Sequence, residues 1–346
     1  MAAAVTDRGA PWVLGVDSGG SGVRFALRRA EPGPPAGTIT SKEPVRTGPD
    51  GIDAEHLLAQ LLPAAQELML RTGADRIAAV AVGAAGMATL GDALRAELPG
   101  ALADALGVRG LALAADAVTA YAGALGQRAG AVVAAGTGMI ALGTDLATWR
   151  RADGWGHLLG DSGGGAWIGR AGLDAALRAH DGRPGGSAAL LARLEAVFGA
   201  PGELPGLLYP RGDRPAVLAS FAPEVAGCAA ADPVAAGILR EAAGHIAASA
   251  AAVCPPSAGD QPQVALTGGL LKLGEPLLAP LRAEFARLLP YARGIEAAGD
   301  PLDGSLLIAT GIAGGGLRLP HDPRMLWIAN GVTDRDRVSA KTDQDS

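Results

Sequence analysis

The sequence predicts an α/β protein built from two sheet-bearing lobes. Two strand–glycine turn–strand units, one near residue 17 and one near residue 137, carry that prediction, together with the alternation of strands and helices that follows the first. At 346 residues the chain is also too long for one ordinary core, since domains usually run to about 100–200 residues.

Pro11–Asp17 has the apolar run of a strand, Ser18–Gly22 is a glycine-opened turn, and Val23–Arg29 is the returning strand. The Pro/Gly-rich stretch Glu31–Gly37 predicts a surface loop ahead of an edge strand at Thr38–Lys42. Between Asp53 and Arg71, Leu57, Leu58, Leu61, Leu62, Ala65, Leu68 and Met69 recur at helical spacing, with Asp53 as N-cap. Ile77–Val82 predicts a buried strand, and Leu111–Ala115 another that hands over at Asp116 to a helix, Ala117–Gly126. The second hairpin follows as Ala131–Ala135, Gly136-Thr137-Gly138 and Met139–Gly143. Residues Ala166–Cys254 are expected to be mainly helical, Gln263–Leu266 a late strand, and Gly304–Leu319 a helix. Residues 1–120 are thus expected to form the first lobe and 121–303 the second, with a helical insertion. The helix at 304–319 is expected to pack back toward the first lobe, and the polar stretch 331–346 to be a disordered tail.

Composition removes several function classes. A net charge of −6 has the wrong sign for a surface that trades counterions with nucleic acid. The two cysteines, Cys228 and Cys254, are too few and too far apart for a metal cluster and fit a reduced, cytoplasmic setting. No apolar run reaches the ~20 residues that a membrane helix needs, and the first fifteen residues lack the apolar core of a secretory signal. The only lysines are Lys42, Lys272 and Lys341, and none follows a glycine, so a P-loop kinase is excluded.

The chemistry-bearing motifs are glycine turns and isolated carboxylates. In Asp17-Ser18-Gly19-Gly20-Ser21-Gly22-Val23-Arg24 the glycines allow several N–H groups to converge on an anion such as a nucleotide phosphate, and Asp17 at the strand end suits Mg²⁺ held through water. Gly136-Thr137-Gly138 repeats that logic, and in Leu266-Thr267-Gly268-Gly269 paired glycines let a flat ring lie close to the backbone. Any of these alone is also an ordinary turn. Asp116 at a strand-to-helix junction is a candidate base, and equally a helix cap. Asp161 lies in a loop too glycine-rich for a helix and is either a turn residue or an acceptor for hydroxyl groups. Trp155, Trp167 and His157 are expected to pack in the core or in loops.

The order of these motifs resembles the actin/hexokinase/Hsp70 superfamily, and within it the N-acetylglucosamine kinase-like proteins grouped with the BadF/BadG-type ATPases. The most specific match is Gly154-Trp155-Gly156-His157-Leu158-Leu159-Gly160-Asp161-Ser162-Gly163-Gly164-Gly165-Ala166-Trp167-Ile168-Gly169, which looks like that family's sugar-site block. The resemblance spans about Val13 to Leu317, including Asp300-Pro301-Leu302-Asp303-Gly304. It implies a ribonuclease H-like sheet in each lobe, ATP and Mg²⁺ in the cleft between them, and transfer of the γ-phosphoryl group to an amino-sugar hydroxyl. Carried onto this chain, it makes Asp116 the catalytic base, with Gly19, Gly20, Ser21 and Gly22 and then Gly136, Thr137 and Gly138 as the phosphate loops. Gly268 and Gly269 become the adenosine motif, and Gly154 and Asp161 become sugar contacts. By analogy it also implies a homodimer.

The chain departs from the family pattern at Ser162, where Glu is usual, at Met139, and at Thr47-Gly48-Pro49-Asp50, where relatives present an Asn near the sugar. N-acetylglucosamine, glucosamine and N-acetylmuramic acid therefore all stay open as substrates. An iron–sulfur reductase activator lacks its cysteines here, and so does the zinc motif of the repressor/open-reading-frame/kinase sugar kinases. A catalytically weak sugar- or nucleotide-binding regulator of the same fold is the rival from another class.

Overall fold

The computed structural model describes residues 10–48, 51–256 and 261–330. Two compact units divide the chain: the first runs to Arg128 and also takes Leu146–Trp149 and the residues from Ala298 onward, while the second holds Ala129–Asp145 and Arg150–Ala297. The expected boundary at residue 120 falls inside a helix that belongs wholly to the first unit. The expected tail from Gly331 lies outside the described residues, as do Pro49 and Asp50.

The first unit opens on the antiparallel hairpin of β1 (Trp12–Gly19) and β2 (Gly22–Arg29), followed by β3 (Gly37–Ser41). Val13, Leu14 and Val16 of β1 are fully buried, the near-continuous apolar run of a strand with both faces covered. A short ladder of β4 (Thr47–Gly48) and β5 (Gly51–Ile52) leads into α1 (Ala54–Thr72). Asp53 caps this helix by accepting the His56 N–H at 2.8 Å, and Gly73 ends it in the left-handed conformation. Then come β6 (Ile77–Ala84), α2 (Met87–Leu90), α3 (Asp92–Leu106), β7 (Gly110–Ala115) and α4 (Asp116–Leu125).

The second unit begins with β8 (Gly130–Ala135), β9 (Met139–Thr144) and, from Arg150 on, β10 (Trp149–Asp153). Its helical part is α5 (Gly165–His180), α6 (Ala188–Phe198), α7 (Leu204–Leu208), α8 (Arg214–Ala219), α9 (Ala222–Cys228) and α10 (Pro233–Val253). After it come β11 (Gln263–Thr267), α11 (Glu275–Leu288) and β12 (Arg293–Glu296). Alanines 242, 243, 247 and 250 of α10, all fully buried with Ile246 among them, let that helix sit close to β8 and β9. The chain then returns to the first unit as α12 (Pro301–Gly314) and β13 (Leu326–Asn330).

Both sheets use one plan. The first has the order β3-β2-β1-β6-β7-β13, with β6 parallel to β1 and β7, and the second has the order β10-β9-β8-β11-β12, with β11 parallel to β8 and β12. A hairpin, a third strand outside it and two parallel strands added on the other side recur in each, and β13 is the one addition. This is the two-sheet α/β architecture of the actin/hexokinase type that the motifs predict.

The last helix begins three residues earlier than expected and stops at Gly314, five short of Leu319. Asp300 and Asp303 form a capping box: Asp300 Oδ1 accepts from the Leu302 and Asp303 amides at 2.8 and 3.2 Å, and Asp303 Oδ2 accepts from the Asp300 amide at 3.0 Å. Gly315, at φ 66°, closes the other end. α12 crosses α4 where both are glycine: a Cβ on Gly304 would overlap the Thr119 carbonyl oxygen, and one on Gly123 would overlap that of Asp300. Among the described residues no helix is long and apolar enough to cross a membrane.

Candidate functional site

In the first unit, the C-terminal ends of β1, β6 and β7 carry the expected residues. Pairing registers Asp17 with Gly83 and Gly83 with Ala114, then Ser18 with Ala84 and Ala84 with Ala115. Adjacent strands lie about 4.8 Å apart, so Asp17 and Ala114 stand roughly 10 Å from each other, with Asp116 just beyond the same sheet end. Ala115 is the N-cap and Asp116 the first residue of α4, exposed, its Oδ1 accepting the Ala117 N–H at 2.9 Å. Thr119, one turn on, lies against β6 so closely that a Cβ on Gly83 would come within 2.7 Å of its hydroxyl.

The β1–β2 hairpin closes on the Gly19–Gly22 pair, leaving Gly20 and Ser21 as an exposed two-residue turn. Gly22 has φ 136°, and a Cβ there would overlap the Ser41 carbonyl, so the turn needs glycine at this position. Nothing lies within 4 Å of where a Cβ on Gly19 or Gly20 would project, so the turn's backbone can be approached closely.

Arg24, opposite Asp17 across the hairpin, donates to Asp17 Oδ2 from Nη2 at 2.6 Å and from Nε at 3.1 Å. Its Nη1 donates to Asp300 Oδ2 at 2.5 Å. Burial works against the Arg24 charge, but hydrogen bonds to Asp300 and Asp17 outweigh it and hold the guanidinium above its ordinary value. Burial would likewise raise the Asp300 carboxyl, yet the bond from Arg24 and the amides of Asp303 and Leu302 keep it below the usual carboxylate range. Asp17, with one oxygen on Arg24, offers a single carboxylate, and no cluster of three or more His, Cys, Asp and Glu among the described residues could hold a metal by itself. A single carboxylate is a donor set that would suit Mg²⁺ kept largely in its water shell.

In the second unit, the Gly136-Thr137-Gly138 turn joins β8 to β9 and receives the start of α5. The Gly165 and Ala166 amides donate to the Gly136 and Thr137 carbonyls, each at 2.8 Å. Asp161 packs on this turn so tightly that a Cβ on Gly138 would overlap its Oδ2. Its Oδ1 accepts the Gly156 N–H at 3.1 Å. Gly268, at the end of β11, has no room for a Cβ against the Ala135 carbonyl, whereas Gly269 has nothing within 4 Å and opens a short 3-10 turn. Thus Gly136–Gly138, Asp161 and Gly268 come together in this unit, as Asp17, the 19–22 turn and Asp116 do in the first.

Two groups escaped the sequence reading. Asp153, at φ 60°, accepts the amides of Asp161 at 2.6 Å and Ser162 at 2.9 Å. Arg151 donates from Nε to the Asp153 carbonyl at 2.9 Å and from Nη2 to the Gly154 carbonyl at 2.7 Å, and its guanidinium lies 4.3 Å over the Trp155 ring. Trp155 packs within its loop, its ring beneath Arg151 although 65% exposed, and Trp167 packs edge-on to His245. Burial pushes the Asp161 carboxyl up, and the Asp153 charge adds to this, against the Gly156 amide, His157 and Arg151.

Comparison with known proteins gives three findings. The model of the BadF/BadG/BcrA/BcrD ATPase family matches residues 14–283. An N-acetylmuramic acid/N-acetylglucosamine kinase of Clostridium acetobutylicum is 42% identical over 69 residues, 20% of this chain and 22% of that protein, so the chain matches about a fifth of that curated relative's length. Among solved structures, a proposed N-acetylglucosamine kinase of Chromobacterium violaceum is 28% identical with a TM-score of 0.64, over 86% of this chain and 98% of that one. A ROK family glucokinase of Streptomyces griseus, in complex with glucose and AMPPNP, shares the fold at 21% identity and a TM-score of 0.52, over 86% of this chain and 98% of that one.

Proposed function

The chain belongs to the BadF/BadG/BcrA/BcrD ATPase family, and we propose that it transfers the γ-phosphoryl group of ATP to a hydroxyl of N-acetylglucosamine or a related hexosamine. One observation carries the proposal furthest: an exposed carboxylate, Asp116, heads a helix at the same sheet end as Asp17 and an open glycine turn. In this reading the sugar hydroxyl oxygen bonds to the γ-phosphorus, the bond from that phosphorus to the β,γ-bridging oxygen breaks, and ADP leaves. The hydroxyl proton passes to Asp116. The 19–22 and 136–138 turns supply amides to the phosphates, Gly268 and Gly269 flank the adenosine, and Gly154 and Asp161 contact the sugar. Asp17 would hold Mg²⁺, which would supply charge neutralisation on the phosphates.

The test is incubation with ATP, Mg²⁺ and a panel of N-acetylglucosamine, glucosamine and N-acetylmuramic acid, with ADP release as the readout. Sugar-dependent ADP release is expected with at least one member. Release with none would overturn the reading in favour of a binding protein of the same fold.

Asp161→Asn separates recognition from chemistry. An acceptor that is charged contributes about 1.5–3 kcal/mol, so the sugar KM should rise roughly tenfold to a hundredfold with little change in kcat. Burial holds the Asp161 carboxyl above its ordinary value in the folded protein. Its stabilising contribution is fully present below the unfolded-state value and is lost as pH rises through the folded-state one, so ionised Asp161 costs stability at neutral pH. Asp161→Asn should accordingly unfold at a higher temperature than the wild type at pH 7, and the gap should close on acidification. A lower unfolding temperature at pH 7 with an unchanged KM would contradict both expectations.

A further inference from the structure

We propose that Asp153 is the positioning residue for Asp161, its carboxylate fixing the backbone on which the sugar-facing carboxylate is mounted. The inference rests on the reading of Asp161 as a sugar ligand and extends it to a residue that touches no substrate.

The geometry is specific. The two Asp153 oxygens divide the work, Oδ1 taking the Asp161 amide and Oδ2 the Ser162 amide. Those amides belong to the peptides on either side of the Asp161 Cα, so together they set its φ and ψ and hence the direction of its side chain. Hydrogen bonds to an ionised acceptor are roughly twice as strong as neutral ones. The conformation they hold is one the backbone does not favour: Asp153 and Asp161 sit at φ 60° and 55°, left-handed values that cost non-glycine residues energy. Room is left for the bridge at Gly160, where a Cβ would overlap Asp153 Oδ1. On the opposite side Arg151 grips the carbonyls of Asp153 and Gly154, so both ends of the strut are braced.

Two amides converge on the Asp153 carboxylate, one from each peptide that flanks the Asp161 Cα. Holding both, next to the carboxylate that lies on the Gly136–Gly138 turn, fixes the acceptor's address to within a fraction of an ångström, the tolerance that productive binding demands. The negative charge of Asp153 also reaches Asp161 and adds to burial in raising it.

Asp153→Gly tests this cleanly, because glycine adopts φ 60° without strain and only the carboxylate is lost. Kinetics would be measured with the hexosamine that the wild type phosphorylates, alongside a pH profile and thermal unfolding. The sugar KM should rise about tenfold while kcat and the ATP KM stay within about threefold, the split expected for lost ground-state positioning. The rise of the sugar KM at low pH should set in at lower pH than in the wild type, since a negative neighbour of Asp161 has gone, and the unfolding temperature should stay within a few degrees. Asp153→Asn should behave alike, because its amide group points a donor at an N–H.

A sugar KM unchanged in size and in pH dependence in both variants would overturn the proposal. So would kcat and unfolding temperature falling together, which would make Asp153 a structural residue only. If Asp161→Asn leaves the sugar KM unchanged, the inference falls while the kinase reading stands. If the wild type neither binds nor phosphorylates any hexosamine, both fall.

Discussion

Asp116→Asn is expected to lower kcat by about a thousandfold, in the middle of the range that a positioned general base contributes, with sugar and ATP affinities close to those of the wild type. The substitution is conservative in every respect except the one that matters. Asparagine keeps the size of the side chain, and its Oδ1 can still accept the Ala117 amide at the start of α4, so the helix is not disturbed. What it cannot do is take the hydroxyl proton. Single-turnover kinetics together with calorimetric titration of sugar separates the two quantities. A rate within a few fold of wild type would remove Asp116 from the chemistry and leave it as a residue of the helix start.

The second large effect concerns stability. Gly304→Ala puts a methyl group where α12 crosses α4, inside contact distance of the Thr119 carbonyl oxygen and 2.7 Å from the Gly123 nitrogen. Both neighbours are backbone, so no side chain can swing aside. Overpacking costs about 1–3 kcal/mol, and here the upper end applies. Alanine's helix propensity returns about 1 kcal/mol, leaving a net loss of about 2 kcal/mol. Urea unfolding should show the midpoint falling with an unchanged slope. Gly314→Ala, in the exposed last residue of the same helix with nothing within 4 Å, is the control and should be neutral or stabilising. Equal stability of the two variants would refute the close crossing. Because α4 begins with Asp116, Gly304→Ala should also reduce kcat.

Much of this arrangement was legible locally. Both glycine hairpins, the capped helix α1 and the strand-to-helix junction at Asp116 announce themselves through short-range patterns of apolar spacing and turn residues. Strands β10, β12 and β13 did not. Arg293–Glu296 is mostly exposed and contains a glycine, and Leu326–Asn330 becomes a strand by pairing antiparallel with β7, more than two hundred residues away in sequence. The same holds for polar partners. Arg24 and Asp300 lie 276 positions apart, so nothing near either one advertises the other. Asp153 looked like any aspartate before a glycine, and its role depends on a loop that doubles back to present two amides. The extent of the first unit escaped for a related reason: α4 ends past residue 120, and what fixes its membership is a helix that begins at Pro301.

That late return has a consequence for how the protein is made. The ribosome releases β1, β6 and α4 long before α12, so the surfaces that Leu306, Ile308 and Ala309 come to share within the first unit stay open while some 170 residues of the second are synthesised. The second unit, whose sequence falls between two parts of the first, can complete its own sheet during that interval. The N-terminal piece must wait, apolar and unfinished, for α12, which leaves nascent chains stalled between the two open to aggregation and to chaperone capture.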